Sequence, residues 1–228
     1  QHSTFLWPED VRDAVVFRFG YCDCFTPDTL AYFAKWQVQG ATLLNPASFI
    51  LDSKVVMALV RETAVRRHLS ADVLAVLDRC IPETHLLRPP LPAALLGEKD
   101  VWIIKYAGFD GDNQAWGGRS LQVGAAHSAV SWRQVLQGAL ALPWPVIAQK
   151  AVPSVQVDIP FVDGDGEIRV MENGRTRLRT FFLRKGETAA STALSTSVLC
   201  GSHLTVSGGT MRVSEGTDAV QAPVVFRP

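Results

Sequence analysis

At 228 residues the chain is long enough for one or two domains with a core of its own, which excludes a thin disulfide-stapled scaffold. Hydrophobic residues make up 47% and charged residues 19%, excluding a disordered chain, and the 22 basic residues balance 22 acidic ones, so no net field draws it to nucleic acid or an anionic bilayer. The longest apolar stretch, 138–152, is broken by Pro143, Pro145, Gln149 and Lys150, short of the ~20 residues a membrane span requires.

In chain order, 14–19 is β-branched and aromatic and predicts a strand that runs into Arg18 and Gly20. Thr26-Pro27-Asp28 opens a helix over 27–37, stopped by Gly40, and a short strand over 42–44 ends at Asn45-Pro46. A helical stripe through Val56, Leu59, Val60 and Leu69 predicts one helix over 53–69, followed by another over 71–78. Prolines from Pro82 to Pro92 mark a crossing loop. Strands over 101–105 and 120–123 then read as a hairpin with a long connection, followed by a helix over 131–142 and a strand over 145–152. Beyond it lie strands over 155–161, 167–171, 177–183, 204–206 and 211–213, with turns expected at Asp163-Gly164-Asp165-Gly166, Asn173-Gly174 and Gly208-Gly209. Helix and strand alternate early and strands dominate later. The order predicts an α+β fold with two sheet-bearing lobes and a cleft between them, divided as 1–80, 81–152 and 153–228.

Four cysteines at 22, 24, 80 and 200 lack a repeated zinc spacing and read as reduced, partly buried thiols. Histidines at 2, 68, 85, 127 and 203 show no ligand spacing, and the tryptophans, without basic interleaving, read as core or cleft residues. The chain opens on Gln1, and its first ten residues lack the blocks of a signal peptide. The expectation is a cytoplasmic protein.

The stretch with most chemistry runs from Trp102-Ile103-Ile104-Lys105 through a glycine-containing loop to Gly117-Gly118-Arg119. A lysine at a strand end beside glycine backbone suits a triphosphate, because bare N–H groups close on phosphate oxygens while the ammonium neutralises them. Before it come Asn45-Pro46 and Asp52-Ser53-Lys54; after it comes Gln149-Lys150-Ala151-Val152. This order resembles the ATP-grasp superfamily of carboxylate ligases, in which a D-x-K helix start and a strand before a glycine-rich loop each give a phosphate-binding lysine. In that family an (E/Q)-x-x-(V/I) strand is the hinge for adenine. Lys54, Lys105, Gly117, Gly118, Gln149, Lys150 and Val152 fall on those positions.

No E-x-N pair follows Val152. The upstream strand with Arg18, then Asp23, then Leu43-Leu44-Asn45 is similar to the circularly permuted, glutathionylspermidine synthetase-like branch, with Leu43 where that pattern has glutamate. The resemblance implies ATP in the cleft between the lobes, Mg2+ on Asp23 and Asn45, and Arg18 on the transferring phosphoryl group. Arg177 and Arg179, two apart and so on one strand face, would bind substrate carboxylate or phosphate; the competing reading is a solvated edge. The implied reaction ligates a small-molecule or peptide carboxylate to an amine through an acylphosphate. A binding or scaffold domain of the same fold is the alternative, and the W-I-x-K strand with the Q-K pair also resembles tubulin tyrosine ligase-like proteins.

Overall fold

The computed structural model describes residues 11–18, 25–45, 48–108, 121–184, 197–208 and 219–224. The chain divides into two compact units, Gln1–Ala151 and Val152–Pro228, and is mixed α+β, with three sheets among the described residues.

The first unit begins with parallel strands β1 (Val15–Val16) and β2 (Thr42–Leu43), joined by helix α1 (Pro27–Val38). Thr26 caps α1, its hydroxyl accepting from the Thr29 N–H at 3.2 Å, with Pro27 in the first turn where no N–H is missed. Gly40 at φ 98° turns the chain out, and Trp36 buries against Val11 and Ala41.

The single helix expected over 53–69 is instead two, α3 (Val55–Leu59) and α4 (Thr63–Arg66), preceded by α2 (Phe49–Asp52). Glu62 is extended, at φ −72° and ψ 133°, and this break lets Arg61 and Arg66 converge on Asp78 of α5 (Ala71–Cys80), at 2.6 and 2.8 Å.

The second sheet of this unit has the order β3-β6-β4-β5 and is antiparallel throughout. Its strands are β3 (Thr84–Leu86), β4 (Trp102–Tyr106), β5 (Leu121–Val123) and β6 (Val146–Lys150). β3 falls in the segment read as a crossing loop and the short helix α6 (Ala93–Gly97) just after it; each is too brief to show a period. Strand alternation sends Trp102, Ile104, Val146 and Ala148 to one face, where they pack on Leu95 and on Trp132, Leu136 and Ala139 of α7 (Ala129–Leu140). The Trp132 indole N–H donates to the Leu95 carbonyl at 2.7 Å, so this large ring is buried without an orphaned donor. The opposite face carries Ile103, Lys105, Ile147, Gln149 and Thr84, with Ile147 against Ala58 of α3 and Ala107.

The second unit is one antiparallel sheet, β10-β9-β8-β7, formed by β7 (Gln156–Val162), β8 (Ile168–Arg184), β9 (Ser197–Ser207) and β10 (Ala219–Pro223). Asn173-Gly174, expected to turn the chain, lies inside the 17-residue β8 as a bulge. Asn173 takes φ 52° and its N–H donates to the Asp158 carboxylate at 2.8 Å, while the register shifts between Val157 and Ile159. The same left-handed preference that builds a hairpin thus kinks one strand. Asp163-Gly164-Asp165-Gly166 is a turn as expected, Asp163 accepting from the N–H groups of Asp165 and Glu167 at 2.9 and 3.0 Å. The strand expected over 211–213 lies outside the described residues. Cys80 and Cys200 are exposed free thiols rather than partly buried ones. Among the described residues no helix is long and apolar enough to cross a membrane.

Candidate functional site

Lys105 and Gln149 meet across β4 and β6. Lys105 is in register with Ile147, which places Gln149 one pair along on the same face, and the Lys105 ammonium donates to Gln149 Oε1 at 2.6 Å. Gln149 Nε2 donates to Thr84 Oγ1 at 2.9 Å and approaches Met57 Sδ at 3.4 Å. Thr84 donates its own proton to the Pro82 carbonyl at 2.7 Å. Thr84 is wholly buried and Gln149 is 5% exposed, so every polar group of this chain has to find a partner inside the protein, and each does.

Lys54 arrives from the turn between α2 and α3. The preceding Ser53, buried, donates to the Ala107 carbonyl and accepts from the Val55 N–H at 3.1 Å, tying the start of α3 to the end of β4. Burial, followed by the positive charge of Lys105, holds the Lys54 ammonium below the ordinary lysine value of 10.5. Burial lowers Lys105 as well. The two ammonium groups, both half-buried, are thus near enough for the charge of Lys105 to act on Lys54.

The first residue of the D-x-K turn is directed elsewhere. Asp52 receives both arms of Arg18, at 2.9 and 3.0 Å. Asn45 and Arg18 also grip one another: Arg18 N–H donates to Asn45 Oδ1 at 2.7 Å, Asn45 Nδ2 donates to the Arg18 carbonyl at 2.6 Å, and Arg18 Nε donates to the Asn45 carbonyl at 2.8 Å. Arg18 therefore acts on the D-x-K turn, and the Asn45 carboxamide is spent on backbone. Asp23, Gly117 and Gly118 lie outside the described residues. Among the described residues no group of three or more His, Cys, Asp or Glu side chains could hold a metal ion.

The sequence matches no family model and no curated protein. The site thus rests on its own geometry.

Lys150, beside Gln149 in sequence, lies on the opposite face of the sheet. Its ammonium pairs with Glu83 at 2.8 Å and sits 5.5 Å from the centre of the Trp102 ring, and the bond to Glu83 raises its pKa. It does not join Lys54 and Lys105. Val152 belongs to the second unit and is exposed. Arg177 and Arg179, also there, share one face of β8 as their spacing predicts, in register with Thr205 and His203. Both are half-buried rather than solvated, and Arg175, opposite Ser207, extends the same face. Thr84 and Ser53 are the functional candidates that sequence reasoning missed. Strand parity would have exposed Thr84 had the three-residue β3 been recognised.

Proposed function

We propose that this chain binds ATP and ligates a carboxylate to an amine, as an ATP-grasp-like enzyme of the permuted type. The observation that supports this reading is the convergence of Lys54 and Lys105 on one half-buried patch, from segments 51 positions apart that match the family's two phosphate lysines.

In the proposed reaction the substrate carboxylate oxygen attacks the γ-phosphorus, the bond to the β–γ bridging oxygen breaks and ADP leaves. The amine then adds to the acyl carbon of the acylphosphate, phosphate departs, and the amine releases its proton to solvent. Such chemistry requires no protein nucleophile; the protein neutralises charge and fixes geometry. Lys54 and Lys105 bind the α- and β-phosphate oxygens; the Lys150 and Ala151 N–H groups, which the resemblance assigns to adenine, donate instead to the Glu83 and Val101 carbonyls, each at 2.8 Å. Arg18 holds the D-x-K turn through Asp52 rather than contacting the phosphoryl group. The magnesium implied by the resemblance would supply charge neutralisation when bound.

The experiment is calorimetric titration of the protein with ATP and a non-hydrolysable analogue, with and without Mg2+. Lys105→Met is expected to abolish binding while circular dichroism stays that of the wild type; unchanged affinity in that variant would remove the claim. The mutual engagement of Asn45, Arg18 and Asp52 favours one second reading, a nucleotide-binding module without ligase turnover. Tight ATP binding with no ADP release in the presence of carboxylates and amines would select it.

A further inference from the structure

We infer that Thr84 is a positioning residue that fixes which way the Gln149 carboxamide points and, through it, where the Lys105 ammonium sits. The nucleotide part of this inference rests on the function proposed above; the side-chain geometry does not.

The argument is one of hydrogen-bond polarity. A lysine ammonium only donates, so it needs an acceptor, and the acceptor here is the oxygen of an amide whose other end is a donor. Both ends of a carboxamide have nearly the same shape, and packing alone would not choose between them. The choice is made on the far side. The Thr84 hydroxyl spends its proton on the Pro82 carbonyl, 2.7 Å away, leaving only lone pairs toward Gln149, 2.9 Å away. Met57 Sδ, 3.4 Å from the same amide nitrogen, is likewise an acceptor. Turning the amide over would set its NH2 against the Lys105 ammonium and its oxygen against two acceptors, in a place where Thr84 and Gln149 are almost inaccessible to water that could compensate.

The chain of donors therefore runs one way, from Lys105 to Gln149 and, separately, from Gln149 through Thr84 to Pro82. A second feature follows. The group that anchors Lys105 is neutral, so the lysine is positioned without being neutralised, and its charge remains available to an anionic ligand. A carboxylate there would hold the ammonium as firmly and cancel it.

The test compares Thr84→Val, which keeps the shape and loses the hydroxyl, with Thr84→Ser, which keeps the hydroxyl; Thr84→Ala repeats the loss in a second packing context. The first readout needs no nucleotide: the side-chain amide resonances of Gln149 and the Cε resonance of Lys105, by NMR of the ligand-free protein. In wild type and Thr84→Ser the Gln149 amide protons are expected to be shifted away from those of exposed glutamines and slow to exchange. In Thr84→Val and Thr84→Ala they should collapse toward the exposed positions and the Lys105 signal should move. The second readout is affinity for ATP, expected to weaken about tenfold in Thr84→Val and to be retained in Thr84→Ser, the loss of one ordered charge-assisted contact. Wild-type Gln149 and Lys105 resonances in Thr84→Val overturn the inference, whatever ATP does. Altered resonances in a protein whose wild type fails to bind ATP uphold the positioning role and overturn the nucleotide reading alone.

Discussion

Arg18 presents its guanidinium edge-on to both carboxylate oxygens of Asp52, with only 10% and 15% of the two side chains exposed. A pair so far removed from water is costly to break one-sidedly, because the remaining charge keeps its desolvation penalty and loses its compensation. Asp52→Asn is expected to lower the free energy of unfolding by about 3 kcal/mol, the low end for a buried pair. The double replacement Arg18→Met with Asp52→Leu should recover most of that loss. Urea denaturation of the three proteins checks it, and a double variant less stable than Asp52→Asn would show that the pair contributes more than mutual neutralisation.

The depressed basicity of Lys54 makes a prediction about pH. In the unfolded chain this lysine titrates near 10.5, and in the native protein lower. Between those two values the unfolded chain binds more protons, so the stability of the wild type rises with pH across that window, and the cost of the buried charge is fully present below it. Lys54→Met carries no such cost from this site. Relative to the wild type, it should be at its most stable near neutrality and lose ground as pH approaches 10.5, by about 1.4 kcal/mol for each unit by which the native lysine is depressed. Stability differences that stay constant from pH 7 to pH 10 would contradict this.

Gly174 faces Val206 with almost no room between them. A Cβ placed on it would lie 2.4 Å from Val206 Cγ1 and 3.1 Å from Met171 Sδ, and Val206 is wholly buried. Gly174→Ala should destabilise the protein by about 1–3 kcal/mol, the usual cost of overpacking. Combining it with Val206→Ala removes the clashing methyl, so the pair should be more stable than the sum of the separate losses predicts. Thermal unfolding of the two single variants and the double variant measures the coupling directly.

Much of the architecture could be read from local signals. The Thr26 cap, the Gly40 stop, the β4–β5 pairing and the run of antiparallel strands after residue 152 each rest on residues within a few positions of one another. Lys54, Lys105 and Gln149, far apart in the chain, were nominated by their resemblance to the ATP-grasp order of motifs. What stayed hidden needed three dimensions. Glu62 interrupts the long helical stripe, and Arg61 and Arg66 on either side of it pair with Asp78 of α5, contacts that an apolar period does not register. Asn173-Gly174 has the same local preference in a turn and in a bulge, and only the partner strand distinguishes the two. Asn45 was nominated as an oxygen ligand by resemblance, and its carboxamide bonds to the backbone of Arg18, 27 positions away, a contact that no local spacing announces. Thr84 was invisible because a three-residue strand between prolines carries no period.

Gln149 and Lys150 are adjacent in sequence yet serve different sides of the molecule, one holding Lys105 and the other closing over Trp102 toward Glu83. Strand β6 therefore has a reading frame of two. A single inserted or deleted residue inside it would deliver the charged side chain to the neutral niche beside Thr84 and the amide to the tryptophan, whereas a change of two residues would preserve the sidedness of both. Length variation among descendants of this sequence should consequently be free in the connections flanking β6 and restricted, within it, to even steps.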